Sequence, residues 1–319
     1  MAAVAQRNRP RGRWRDVLEE RRFLAPLLIS PAVLYIVLLV GAPLGLAVYL
    51  SMTDATAGSL SGNFVGLHNY ADVWQSPNFR RALRNTIFFT LVSQAVVLVG
   101  AAVLAHRLVK PFRGRWFLRF LVMLPWAAPV ALGTIGWLWI FESTLSVVNW
   151  TLVHLQTGVL GHLGLDLIDP LDPPQWLGRP SLAMASVITV HAWRILPFAT
   201  VIFIAGLASI PAEVDDAAKV DGATGLKKLW YVTLPLQLPI ALVALLFGIV
   251  FTATDITVVY ILTNGGPFNQ TQMLPMWAFQ IGVRSGSLGD GAAIALYLLP
   301  ILVVVSVAML WFAKRAEVT

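Results

Sequence analysis

The chain has 319 residues, 57% of them hydrophobic and only 12% charged, with a formal net charge of +7 and a mean hydropathy of +0.73. These values exclude an ordinary soluble globular domain and indicate an all-α polytopic membrane protein. The lack of cysteine excludes a disulfide framework and a thiolate nucleophile, and the five scattered histidines form no HxxxH pair that would suggest a metal site.

In chain order, residues 1–22 form a basic arm carrying Arg7, Arg9, Arg11, Arg13, Arg15, Arg21 and Arg22. An uncharged run then occupies residues 23–53. A secretory signal has an apolar region of about 7 to 15 residues, whereas spanning a bilayer takes about 20, so this run reads as a first transmembrane helix. Further apolar runs lie at residues 85–105, 120–141, 181–207 (interrupted by Arg194), 236–262 (containing Asp255) and 291–313, giving about six spans. With the amino terminus inside, the alternating segments hold seventeen basic residues on the inner side against five on the outer side. That bias places both termini in the cytoplasm, and it explains the basic charge without nucleic-acid binding. The arm is expected to set topology and to touch anionic membrane lipid, and residues 23–319 to form the transmembrane domain.

Between the fourth and fifth spans, residues 209–235 read SIPAEVDDAAKVDGATGLKKLWYVTLP and are too polar for hydrocarbon. Pro211 suits a first helical turn, and Glu213, Asp215 and Asp216 favour its positively polarised end. Asp215 precedes Lys219 by four residues, the favourable order for an ion pair. Gly222 ends this helix, and a second begins near Thr224 with Leu226, Leu229, Trp230 and Thr233 on one side. The spacing of Asp216, Ala217, Ala218, Asp221, Gly222 and the later Val232-Thr233-Leu234-Pro235 resembles the EAA loop of bacterial ABC importer permeases. Asp216 stands where that family usually has Glu, which keeps the charge and shortens its reach. The resemblance implies a cytoplasmic helix-turn-helix that couples the permease to an ATPase, with Asp216, Ala217, Ala218, Asp221 and Gly222 at the contact.

Outside the loop, FVGLHNY at residues 64–70, FRRALRNT at residues 79–86, and Leu262-Thr263-Asn264-Gly265-Gly266-Pro267 with Thr271 resemble segments of carbohydrate-type permeases, in particular the first permease subunit of maltose, glycerol-3-phosphate and oligosaccharide importers. A Gly common in that family shortly before Asn149 is absent, and Ser146, Val147 and Val148 stand there. The resemblance implies a translocation subunit for a sugar or sugar-like solute in a bacterial plasma membrane. Its implied partners are a second homologous permease, an ATP-binding-cassette ATPase dimer and an extracytoplasmic solute-binding protein. No phosphate-cradling GxxxxGK[ST] occurs, so Mg-ATP belongs to the ATPase subunits and no cofactor is expected on this chain. No paired carboxylates or Ser-His-Asp set suggests an enzyme. The alternative is a secondary active transporter, which would call for paired internal repeats that the two halves do not display.

Arg194, near the middle of the fourth span, would cost about 2.5 to 3.5 kcal/mol facing lipid, so it is expected to face the bundle interior. Pro197 removes the amide partner of the Trp193 carbonyl, which suggests a loosened helix beside the charge. Asp255, Thr252 and Thr254 on the fifth span are the expected neighbours. Two roles fit: hydrogen bonding to a substrate along its path, or a pair with Asp255 that holds two spans together.

Overall fold

The computed structural model describes residues 21–59, 62–143, 146–160, 169 and 172–318. The basic arm through residue 20 therefore lies outside the described residues. The chain is helical, and β pairing among the described residues is confined to isolated bridges such as Thr53 with Phe64. Among the described residues, five helices are long and apolar enough to cross a membrane: α1 (Leu24–Ser51), α3 (Pro77–Val109), α7 (Pro180–Ala208), α9 (Gly225–Ala253) and α12 (Leu288–Ala316). A short helix α2 (His68–Gln75) precedes α3. The expected third span is instead two helices, α4 (Arg115–Ala127) and α5 (Val130–Ile140), bent by 98°. Proline disfavours helical backbone in the residue before it, and both Ala128 and Pro129 are extended. A helix α6 (Val147–Leu155) follows, with the Ser146 hydroxyl accepting the Asn149 amide as its cap. Where the family's glycine is absent, Ser146 caps the helix that carries Asn149.

α3 and α7 form the centre. Ala101 and Ala105 on α3 let it approach Ala192, Ile195, Ala199 and Phe203 of α7, and Ala244 of α9 closes the same core. Small residues of this kind give close packing where lipid offers no hydrophobic drive. α7 runs through Pro197 without a break, so the expected loosening is not seen. Pro197 itself is buried in the bundle. α1 stands apart: the most apolar part of its length has no residue buried in the bundle. It is fastened at its end, where Asn69 Nδ2 donates to the carbonyls of Ser51 (3.0 Å) and Thr53 (2.8 Å).

The fifth span also differs from its apolar run. α9 stops at Ala253, and α10 (Thr257–Leu262) starts separately. Asp255 lies in the gap, and its Oδ1 accepts the Thr257 amide at 2.8 Å. A short carboxylate that binds backbone two residues on competes with helix continuation, which accounts for the break. α11 (Leu274–Phe279) then leads to α12.

Candidate functional site

Residues 209–235 fold as the sequence predicts. α8 (Ala212–Val220) is followed by Asp221 and by Gly222 at φ 71, and α9 begins at Gly225. Only glycine takes that left-handed turn readily, and no atom stands within 4 Å of where a Cβ would project. Lys219 Nζ lies 3.0 Å from Asp215 Oδ2 and 2.8 Å from Asp216 Oδ1. Lys228, from the start of α9, also pairs with Asp215, so one carboxylate joins both arms of the hairpin.

The loop has an inner and an outer face. Ala218 is buried, and its carbonyl accepts the Ala223 amide at 2.8 Å across the turn. Ala218 thus serves the hairpin itself, whereas Asp216, Ala217, Asp221 and Gly222 are exposed. Beside them lies an apolar surface that periodicity alone did not separate from the packed side: Val220 is 87% exposed, Leu226 74% and Tyr231 77%. Trp230 is exposed with them, while Thr233, expected on the same side, is buried.

Deep between α3, α7 and α9 is a second polar group. Arg194 Nη1 donates to Asp255 Oδ2 at 2.5 Å, and His191 Nδ1 lies 3.0 Å from the same oxygen. A carboxylate only accepts, so His191 carries its proton on Nδ1. Its Nε2 is 2.9 Å from Thr252 Oγ1, which in turn accepts Gln94 Nε2 at 2.6 Å. The chain of contacts from Gln94 to Arg194 ties three spans together. A Cβ on Gly248 would overlap Gln94 Oε1, so glycine there is what admits the amide. Thr254 stands outside the group: its hydroxyl bonds the Val250 carbonyl of its own helix at 2.8 Å. His191 and Gln94 were missed in the sequence, where a lone histidine and glutamine in apolar runs carry no spacing signal. One turn of helix separates His191 from Arg194, and that shared face was the available clue.

A third polar segment follows α10. Asn264, Phe268 and Asn269 all have positive φ, and the segment is held against α3 by Arg81, which donates to the Phe268 carbonyl at 3.1 Å, and by Asn85 and Thr86. Asn85 Nδ2 reaches the carbonyls of Asn269 (3.4 Å), Gln270 (3.0 Å) and Gln272 (3.0 Å). Thr86 Oγ1 accepts the Leu274 amide at 2.9 Å, and the Thr263 and Thr271 hydroxyls meet at 2.6 Å. Phe268 projects from the tip, 83% exposed.

Residues 97–318 match the family model described as binding-protein-dependent transport system inner membrane component. The chain belongs to this family. It is similar to the sulfoquinovosyl glycerol transport system permease protein SmoG of Agrobacterium fabrum, at 32% identity over 92% of this chain and 91% of that protein. It is also similar to the trehalose/maltose transport system permease protein MalF of Thermococcus litoralis, at 30% identity over 73% of this chain and 74% of that one. In fold it matches a crystal structure of a bacterial ABC transporter involved in the import of the acidic polysaccharide alginate, with a TM-score of 0.75, 18% identity, and coverage of 95% and 98%. The protein is therefore a permease subunit of an ABC importer, and the secondary-transporter reading is set aside.

Proposed function

We propose that this permease carries a sugar or sugar-like solute across a bacterial plasma membrane, with both termini and residues 209–235 on the cytoplasmic side. The names of its relatives support the substrate class, since sulfoquinovosyl glycerol and trehalose or maltose are all glycosides. A second permease completes the path, an extracytoplasmic protein delivers the solute, and an ATPase dimer that holds Mg-ATP drives the change of access. The 209–235 hairpin docks on the ATPase. The observation that carries this reading is the exposed apolar surface of Val220, Leu226, Trp230 and Tyr231 beside the Gly222 turn. Such a surface beside charged Asp216 and Asp221 is unlike a lipid-facing helix and fits a protein groove.

Replacing Gly222 with Val tests it. The new side chain meets nothing, so the substitution acts through the backbone, at about 1–2 kcal/mol for a left-handed residue. The importer should still assemble in the membrane but lose stimulation of its ATPase by loaded binding protein. Full stimulation by the variant would remove the turn from coupling.

Arg194 combines the two expected roles. Its bond to Asp255 clasps α7 to the α9–α10 break, while its other N–H groups have no hydrogen-bond partner among the described residues. Those donors suit sugar hydroxyls along the path, with Asp255 positioning the guanidinium directly and Thr252 supporting Asp255 through His191.

A further inference from the structure

Between the end of α3 and the 209–235 hairpin lies a cavity of about 680 Å³, within the size range of small-ligand sites. Four basic side chains reach it: His106 and Lys110 from α3, and Lys219 and Lys228 from the hairpin. The hairpin lysines are already paired with Asp215, the acidic side chain in the wall. Lys110 is exposed and makes no ion pair among the described residues. His106 Nδ1 lies 2.7 Å from the Ala102 carbonyl, which only accepts, so Nδ1 carries the proton. His106 Nε2 is then a lone-pair acceptor, and it is buried with no partner. With almost no accessible surface, that atom faces protein and not the cavity, which leaves Lys110 as the cation open to an anion. Ile210, Leu229 and Val232 give the wall its apolar part, beside Thr224 and Thr233.

We infer that this cavity holds an anionic glycerophospholipid, its phosphate at Lys110 and the start of its acyl chains along Ile210, Leu229 and Val232. Each part of the wall selects one part of that molecule. A soluble glycerol phosphate offers the same anion but leaves the apolar side chains uncovered, and a choline head group cancels the phosphate charge. Basic pockets between helices at the inner membrane surface bind anionic head groups in this manner. The inference rests on the cytoplasmic placement of the hairpin, and it makes the lipid a wedge beneath the surface assigned to the ATPase.

The assembled importer, purified in detergent, is loaded with phosphatidylglycerol or phosphatidylcholine, and retained lipid is counted by native mass spectrometry without ATP. Lipid retention does not require coupling, so it separates this inference from the function proposed above. Phosphatidylglycerol should be retained about tenfold better than phosphatidylcholine, and Lys110→Gln should reduce that retention about tenfold, as loss of one charged hydrogen bond implies. Lys110→Arg should retain it. Equal retention of the two lipids, or unchanged retention in Lys110→Gln, would overturn the site. Displacement of the lipid by millimolar glycerol phosphate would assign the cavity to the soluble ligand and overturn the lipid.

Discussion

α9 begins and ends in polar chain, and the two ends are built on opposite principles. At its entrance, the 209–235 hairpin relies on one glycine turn and on ion pairs that are largely exposed, and it turns large apolar side chains outward. At its exit, residues 254–272 are inserted into the bundle: Asp255 is bound from three directions, and Asn85 satisfies carbonyls of the following segment. The exit is held mainly by hydrogen bonds to its own bundle, whereas the entrance leaves surface that another protein can cover. Polar sequence beside a membrane span can thus mean either a self-satisfied structural joint or a docking surface. Where the side chains spend their hydrogen bonds distinguishes the two.

This contrast fixes the expected order of mutational effects. Arg194→Gln strands a carboxylate that is 7% exposed and should lower bundle stability most, by about 3 kcal/mol or more, with partial recovery on adding Asp255→Asn. Thermal unfolding of the purified complex reads both steps, and a single variant as stable as the parent would show that the clasp carries no load. Asn85→Ala should cost about 1–3 kcal/mol by leaving buried carbonyls without a donor, measured in the same way. An unchanged melting temperature would mean the exit segment holds itself. At the entrance, Asp215→Asn should cost under about 1 kcal/mol and should matter less as salt is raised, because Lys219 is exposed and Lys228 and Asp215 are only partly buried. A large, salt-independent loss would make the hairpin a structural joint like the exit. Phe268→Ser, at an exposed tip, should leave stability unchanged, and a measurable loss would mean that this side chain is covered in the assembled importer.

The sequence showed the entrance more clearly than the exit. Asp215 four residues before Lys219, Gly222, and the flanking prolines are local signals, and local signals survive folding. The spans were legible from uncharged length alone, yet two boundaries were not. Residues 120–141 contain Pro125 and Pro129, and only the second breaks the helix, because the chain turns there. Asp255 reads as a charge within a span until its contact with the Thr257 amide shows it ending one helix and starting the next. The Arg194 to Asp255 contact was one of two readings available from residue chemistry, but Gln94 and His191 enter through packing between α3, α7 and α9. Thr254, adjacent in sequence, is turned out by the helix that ends there. Contacts across three helices have no signature in any one of them.

The absence of cysteine makes one measurement direct. A benzophenone placed on Val220→Cys in the assembled importer, and separately on Phe268→Cys, reports what each exposed tip touches when irradiated. The account predicts that the Val220 probe captures the ATPase subunit and the Phe268 probe does not. Failure of the Val220 probe to reach the ATPase in an importer that still transports, or capture of the ATPase from Phe268 instead, would contradict it.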